Sequence, residues 1–346
     1  MNKQAEIMKH SALILAVVGI GILAAMILFI GPGKIESAIS LADPWYLALA
    51  VVIQFAIYGL WTERWSININ SVNIAIKKLH LLPMLLVGLA VNNITPSARG
   101  GGEPIRGYIL SKYSKTPFEK SFATVIADRG LDTFPFMVLA VITIISLVLF
   151  MSLSKLLIFG LIIAVIALLI LFFVAVYMSI NKEFGKKVIL WLVGIIKRFS
   201  RKEHSKLEEN ALKAIYGFQK SMRTMLKDRN VFMYGLPISF VIWILEISRV
   251  YIVFSAFHVE VSFIVIAEVF IVSTLIGMIP LLPGGLGAVD GVMIILFSAA
   301  GVPPSISAAA TIVERLISFW MTTIIGTSVL PYFGTGVVDK IFKKIS

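Results

Sequence analysis

The chain alternates long apolar runs with short polar interruptions. A helix needs about 20 apolar residues to cross a hydrocarbon core of about 30 Å. Residues 12–30, 43–65, 133–151, 156–180, 231–257 and 306–332 each meet that length and are predicted to span. Trp45, Tyr46, Trp61 and Trp65 stand toward the two ends of the second run, where aromatic side chains mark membrane interfaces. The first run does not read as a cleavable signal peptide: no small-residue cleavage site follows it, and Gly31-Pro32-Gly33 reads as a turn. Two further apolar stretches, 81–94 and 263–282, end in turn-forming residues, Asn92 to Pro104 and Pro280 to Gly287. Broken backbone at membrane depth persists only where protein or a wet cavity satisfies it. Both stretches are therefore predicted to be re-entrant helical hairpins.

Basic residues assign the sides. Segment 181–230 holds thirteen Lys/Arg against five Asp/Glu, which places it in the cytoplasm. Segments 31–42, 152–154, 258–261 and 301–305 hold a single Lys, Lys34, and are expected outside; Lys155 at the edge of one span runs slightly against this. Lys340, Lys343 and Lys344 put the C-terminus inside, and the six crossings put the N-terminus there too. Within 181–230, Lys186-Lys187, apolar residues 188–196 and Lys197-Arg198 read as an interfacial helix. Leu207, Ala211, Ile215, Phe218, Met222 and Met225 follow at helical spacing, an amphipathic face that anchors to anionic lipid or packs under the bundle. The expected architecture is all-α: a polytopic protein of the cell membrane, one transmembrane domain over 1–346, with about six full spans, two oppositely oriented re-entrant hairpins, and 181–230 as a cytoplasmic basic and amphipathic connector.

Composition narrows the chemistry. Of 346 residues, 58% are apolar and 14% charged, against about 45–50% and 25% in soluble domains; mean hydropathy is +0.94. Cysteine is absent, so thiol catalysis, thiolate metal sites and disulfides are excluded. The net charge of +12 is assigned to loops facing anionic lipid, and nucleic acid is not an expected partner. His10, His80, His204 and His258 are scattered and no P-loop occurs. Neither a metal nor a cofactor is expected, although Asp128 and Asp132 have the spacing to hold one ion.

The two interrupted segments resemble each other. Counted from Pro96 and Pro280, at an offset of 184, both carry Gly-Gly (Gly100-Gly101 and Gly284-Gly285), then a charge (Arg106 and Asp290), then Gly107 and Gly291. At an offset of 186, Ser121 to Arg129 matches Ser307 to Arg315 at four of nine positions, with Asp128-Arg129 answering Glu314-Arg315. Upstream, Glu63-Arg64 answers Glu246 and Arg249. The order points to duplication, with repeats over about 44–151 and 231–333. Three spans separate the two hairpins, so the copies are expected to be inverted, as in many transport folds. Pro-Gly-Gly that only permits close helix packing is the plainer explanation of the glycines.

An ionisable side chain at the bilayer centre costs about 2.5–3.5 kcal/mol on insertion scales. Here Arg99, Glu103, Arg106, Asp128, Arg129, Asp132, Glu246, Arg249, Glu268, Asp290, Glu314 and Arg315 lie in or beside apolar segments. Each taken alone is explained by a structural salt bridge; the set favours function. The guanidinium fork binds phosphate bidentately, and the tips Gly100, Gly101, Gly102, Gly284 and Gly285 offer backbone N–H groups where helices are expected to begin, near Gly102 and Gly285. Arg99, Glu103, Arg106, Arg129, Arg249, Asp290 and Arg315 are the expected substrate-binding residues. Asp128, Asp132, Glu246 and Glu314 are the structural or coupling carboxylates. Arg106 and Asp290 hold equivalent places, and an ion pair between them is expected if the tips meet.

Pro96 with Gly100-Gly101-Gly102-Glu103 and Arg106, Asp128-Arg129, Pro283-Gly284-Gly285-Leu286-Gly287 with Asp290, and Glu314-Arg315 resemble the lysylphosphatidylglycerol synthase transmembrane region, the flippase-like domain of multiple peptide resistance factors and related prokaryotic membrane proteins. The resemblance covers nearly the whole chain. It implies movement of charged lipid between leaflets, and by motif position it implies roles for Glu103, Arg106, Asp290 and Arg315. The sequence ends at Ser346 without the soluble aminoacyltransferase domain of those factors, so synthase activity is not expected.

The leading expectation is a lipid flippase or lipid transporter, not an enzyme, whose partners are anionic membrane lipids, phospholipid or polyprenyl-phosphate-linked; a homo-oligomer is compatible with the sequence. Three other readings stay open: a secondary transporter of a small soluble anion, an intramembrane enzyme acting on lipid phosphates, and a non-catalytic scaffold for lipid synthesis.

Overall fold

A computed structural model of the chain describes residues 28, 32–95, 100–150, 155–199, 205–279 and 283–333. Among these residues every regular element is helical. The helices are α1 (Pro32–Ser40), α2 (Pro44–Ser71), α3 (Leu81–Ile94), α4 (Glu103–Ser114), α5 (Phe118–Phe150), α6 (Lys155–Ile180), α7 (Lys182–Phe199), α8 (Ser205–Lys227), α9 (Leu236–Ser255), α10 (Phe263–Gly277), α11 (Ala288–Ala299), α12 (Pro304–Arg315) and α13 (Met321–Val329). A π-helical turn, Val231–Gly235, leads into α9, and a second, Leu316–Trp320, joins α12 to α13.

Among the described residues five helical stretches are long and apolar enough to cross a membrane: Pro44–Ser71, Phe118–Leu149, Ile158–Ile180, Val231–Ser255 and Pro304–Phe333. Lys78–Ile94, Phe263–Gly277 and Ala288–Ala299 are apolar but shorter; at 1.5 Å per residue, the 14 residues of α3 extend about 21 Å, short of the roughly 30 Å core. α6 exposes Leu156, Phe159, Ile163, Ile166, Ile170, Leu171 and Phe173. Such a surface needs lipid as its solvent. The chain is a multi-pass membrane protein.

Several sequence expectations shift. The predicted span 12–30, apart from Leu28, and the C-terminal lysines Lys340, Lys343 and Lys344 lie outside the described residues, as do Arg99, Pro96 to Ala98 and Pro280 to Leu282. Pro32 and Gly33 do not form a turn: Pro32 opens α1, where its missing N–H costs nothing and its fixed φ suits a first helical residue, and α1 packs on α12. The span expected at 133–151 begins at Phe118, because its charges are paired within the protein and do not end the helix. Trp65 is not an interfacial anchor: it is fully buried, beneath the Arg106 guanidinium at 4.2 Å, and its indole N–H donates to Thr124 Oγ1 at 3.1 Å. Trp45, 82% exposed, does face outward. The second tip does not start its helix at Gly285 but at Ala288, after a short 3-10 turn over Pro283–Gly285.

Local signals set the helix ends. Asp43 caps α2 by accepting from Trp45 N at 2.8 Å, and its own N–H donates to Ala256 O at 2.9 Å, tying α2 to the end of α9; such a cap is worth about 1 kcal/mol. Ser262 caps α10 through Val265 N. Lys115 ends α4 in the left-handed region at φ 53°.

Packing among the described residues divides into three cores. Trp65, Ile69, Leu85, Ile109 and Ala123 form one, closed by Phe218, Met222 and Met225 of α8, so that amphipathic helix packs under the bundle. Ala50, Val250, Phe254, Phe297 and Ala308 to Ala310 form the second. Phe136, Ala140, Leu161, Trp243, Ile271 and Leu275 join α5, α6, α9 and α10. Between the halves, α2 packs on α9, α3 on α13, and α10 on α5. Helices in lipid associate through close packing, since lipid removes the hydrophobic drive. Gly88 and Gly102 supply it where α3 meets α4: a Cβ on Gly102 overlaps the Gly88 carbonyl, and a Cβ on Gly88 overlaps the Arg106 side chain.

Candidate functional site

Most of the charges predicted from sequence gather into two sets of ion pairs among the described residues. On the first side, Arg64 of α2 donates to Asp128 Oδ1 (2.8 Å) and Asp132 Oδ1 (2.7 Å), both on α5. Arg106 of α4 reaches the other Asp128 oxygen at 3.1 Å. Arg129 donates to Glu103 at 2.5 Å and stands 3.7 Å from Asp132. Glu103 also accepts from Asn92 Nδ2 (3.2 Å), while Asn92 Oδ1 takes the Gly102 N–H at 2.6 Å. On the second side, Arg249 of α9 binds Glu314 at 2.9 Å and Arg315 binds Asp290 at 2.8 Å. Arg315 also donates to Gly284 O at 3.2 Å and lies over the Phe319 ring at 4.4 Å.

The expected ion pair between Arg106 and Asp290 does not form. Arg106 pairs with Asp128 and Asp290 with Arg315, each within its own side. Helix rotation decides this: Arg106 turns back over Trp65 toward α5, and Asp290 Oδ2 is engaged by the Gly287 N–H at 2.7 Å. The tips nevertheless meet. Gly284, with φ +55°, lies against Asn93 O and the Phe319 ring, where a Cβ has no room; only glycine takes both that backbone and that contact. Asn93 donates to Thr323 Oγ1 at 2.8 Å and to Phe319 O at 3.3 Å.

Some contacts recur across the two sides. Arg64 donates to Asp128 and to Ser239 of α9 at 3.1 Å; Arg249 donates to Glu314 and to Gln54 of α2 at 2.5 Å. Arg249 follows Arg64 by 185 residues, Ser239 follows Gln54 by 185 and Glu314 follows Asp128 by 186. The Tyr58 hydroxyl lies 2.5 Å from Thr322 Oγ1, and at the same offsets the Trp243 ring packs on Phe136 at 4.9 Å.

Between these networks lies a cavity of about 190 Å³, bordered by Gln54, Asn92, Asn93, Arg129, Asp132, Glu246, Arg249, Ser273, Thr274, Gly284, Glu314, Arg315 and Ser318. Trp61, Phe136, Trp243, Phe270 and Phe319 complete its wall. Arg106, Asp128 and Asp290 are buried behind it. Gly102 is buried at the start of α4, Gly101 is half-buried and Gly100 exposed; Gly285 is buried with Gly284. Arg249 and Ser273 border the cavity, and their fully buried Nε and Oγ atoms find no hydrogen-bond partner among the described residues. Glu268 lies apart on α10, accepting from Ser146 Oγ at 2.5 Å. No group of three or more His, Asp or Glu is placed to hold a metal among the described residues, and Asp128 and Asp132 converge on Arg64.

Sequence reasoning found the charges and missed the neutral polar residues. Gln54 within an apolar span and Ser239 near the start of another are the available signals, since a polar side chain in a membrane helix needs a partner. Asn92 and Asn93 were visible only as part of an interruption.

Helices that expose apolar side chains outward and gather ion pairs around a cavity lined by polar and aromatic side chains define a polytopic membrane protein with a buried charged core. The chain belongs to the family described as lysylphosphatidylglycerol synthase TM region, whose model matches residues 14–326. It is 57% identical over 338 residues to a UPF0104 membrane protein of Methanothermobacter thermautotrophicus, covering 98% of this chain and all of that one. It is 31% identical over 316 residues to a UPF0104 membrane protein of Methanocaldococcus jannaschii, covering 90% and 92% of the two chains. A UPF0104 membrane protein of Pyrococcus horikoshii is 28% identical over 319 residues, covering 90% and 94%.

Proposed function

We propose that the chain moves a lipid with an anionic, phosphate-bearing head group between leaflets of the cell membrane by alternating access, without covalent chemistry. The observation that carries this reading is the cavity walled by both sides, with Arg129, Arg249 and Arg315 on its lining. Buried polar groups are nearly always hydrogen-bonded, and guanidinium groups on a cavity wall are places where an anionic ligand oxygen can be bound. The arginines are held by carboxylates, so an incoming phosphate replaces a carboxylate oxygen on Arg129, Arg249 or Arg315, and the ion pairs stand in for the ligand at rest.

The architecture behind this reading is an inverted duplication over about 44–151 and 231–333. The reciprocal contacts of Arg64 and Arg249, Ser239 and Gln54 are what two copies facing each other across a pseudo-twofold axis produce. The pairs α3–α4 and α10–α11 are the two re-entrant hairpins, too short to cross and abutting where Gly284 meets Asn93. Segment 181–230 lies on the cytoplasmic side with both termini. Rocking of one copy against the other exposes the cavity to each leaflet in turn.

Movement of fluorescent phosphatidylglycerol in proteoliposomes tests this. Wild type is expected to accelerate it, and Arg249→Lys, which keeps the charge but loses the fork, to slow it markedly while remaining folded. Equal rates in wild type, variant and empty vesicles contradict it. The small volume of the cavity also favours a second reading, transport of a small soluble anion; uptake of radiolabelled phosphate by the same vesicles, without lipid movement, distinguishes it.

A further inference from the structure

We infer that the chain carries a second, apolar compartment that holds the hydrocarbon tail of a phospholipid while its phosphate lies against Arg129; this rests on the reading above and adds where the tail goes. A cleft of about 560 Å³ lies between α5, α6, α8 and the π-helical turn before α9, with Gly130, Phe134, Leu171, Ala175 and Met222 on its wall. Its lining is apolar save for Ser179 and for Arg129 and Thr133, and these last two also border the polar cavity. Arg129 therefore stands on the partition between the two spaces. It is also the accessible member of its class: its side chain is 30% exposed, against 3% for Arg64, Arg106 and Arg249 and 9% for Arg315. Phe134 and Leu171 are exposed, so the lip of the cleft is apolar and faces the bilayer.

The two volumes differ in the way an amphiphile does. Small-molecule sites run to about 300–1,000 Å³; the polar cavity, at about 190 Å³, is too small for a whole lipid and large enough for a head group, while the cleft falls within that range. A tail leaving the bilayer for an apolar wall gains little free energy, since both are hydrocarbon. The cleft therefore sets the position of the phosphate relative to Arg129 and adds little affinity.

Gly130 supplies the test. It borders the cleft, and a Cβ there meets no atom within 4 Å, so Gly130→Leu is expected to fill the space without displacing the backbone. The full chain is placed in nanodiscs of phosphatidylglycerol doped with phosphatidylglycerol bearing a diazirine in mid-chain, irradiated, and mapped by mass spectrometry. Crosslinks are expected on the cleft walls of α5, α6 and α8, and their loss is expected in Gly130→Leu, with Gly194→Leu on α7, another open position, retaining them. Crosslinks insensitive to Gly130→Leu, or confined to outward residues such as Phe159 and Ile163, overturn the inference and indicate annular lipid. Cleft crosslinks that vanish in Gly130→Leu, in a protein that moves no lipid, sink the transport reading and leave the tail site standing. Lipid movement without cleft crosslinks does the reverse.

Discussion

The two sides of the charged core use matching positions differently. On the first, Asp128 is shared by Arg64 and Arg106, and Arg129 stands between Glu103 and Asp132, so six side chains form a linked network. On the second, Arg249–Glu314 and Arg315–Asp290 are separate pairs, completed by neutral groups, Gln54 and the Gly284 carbonyl. A linked network resists opening, because moving one member strands two others in a low dielectric. A pair has one partner to exchange. Arg249 and Arg315 border the cavity while Arg64 and Arg106 do not. On the proposed reading the first side fixes the bundle, with Arg129 accessible at its cavity edge, and the second offers cations that a ligand can recruit.

The largest effect that tests this contrast is Asp128→Ala. It leaves Arg64 and Arg106 without their shared carboxylate and is expected to cost about 3–5 kcal/mol, read as lost folded yield and a lower unfolding temperature in detergent; Glu314→Ala, which strands only Arg249, is expected to cost less. Equal losses remove the distinction. Gly102→Ala comes next: the overlap with the Gly88 carbonyl involves backbone with little freedom to move, and about 1–3 kcal/mol is expected by the same thermal measurement. Asp290→Asn frees Arg315 while an amide oxygen still accepts the Gly287 N–H. Binding of phosphatidylglycerol by microscale thermophoresis is expected to tighten by about tenfold, about 1.4 kcal/mol; unchanged or weaker binding shows that Arg315 is not a ligand group. The smallest effect belongs to Lys78–Glu63, 2.8 Å apart but 60% and 46% exposed: Lys78→Met is expected to shift stability by no more than about 1 kcal/mol.

The same contrast explains what the sequence makes legible. Lipid-facing helices announce themselves, since α6 needs only length and apolarity to be read. The charged positions are legible too, because each is costly in an apolar run and must have a reason. Their partners are not. Arg106 and Asp290 hold equivalent places in the sequence, yet each turns to its own side, because pairing depends on helix rotation that no spacing encodes. The start of α5 at Phe118 was hidden for a related reason: Asp128, Arg129 and Asp132 look like the end of a span until their cations on other helices are known. Trp65 read as an interfacial anchor because its sequence position does not reveal the guanidinium stacked upon it.

The absence of cysteine from the 346 residues makes one measurement clean. Ser318 borders the cavity on the π-helical turn after α12, and Ser318→Cys places a single thiol there. In vesicles of defined orientation, treated from one side or the other with a membrane-impermeant maleimide, alternating exposure predicts labelling of that same thiol from each side. Added phosphatidylglycerol is expected to protect it from both. Labelling from one side only, whatever lipid is present, means that the cavity never changes the leaflet it faces, and contradicts transport by this site.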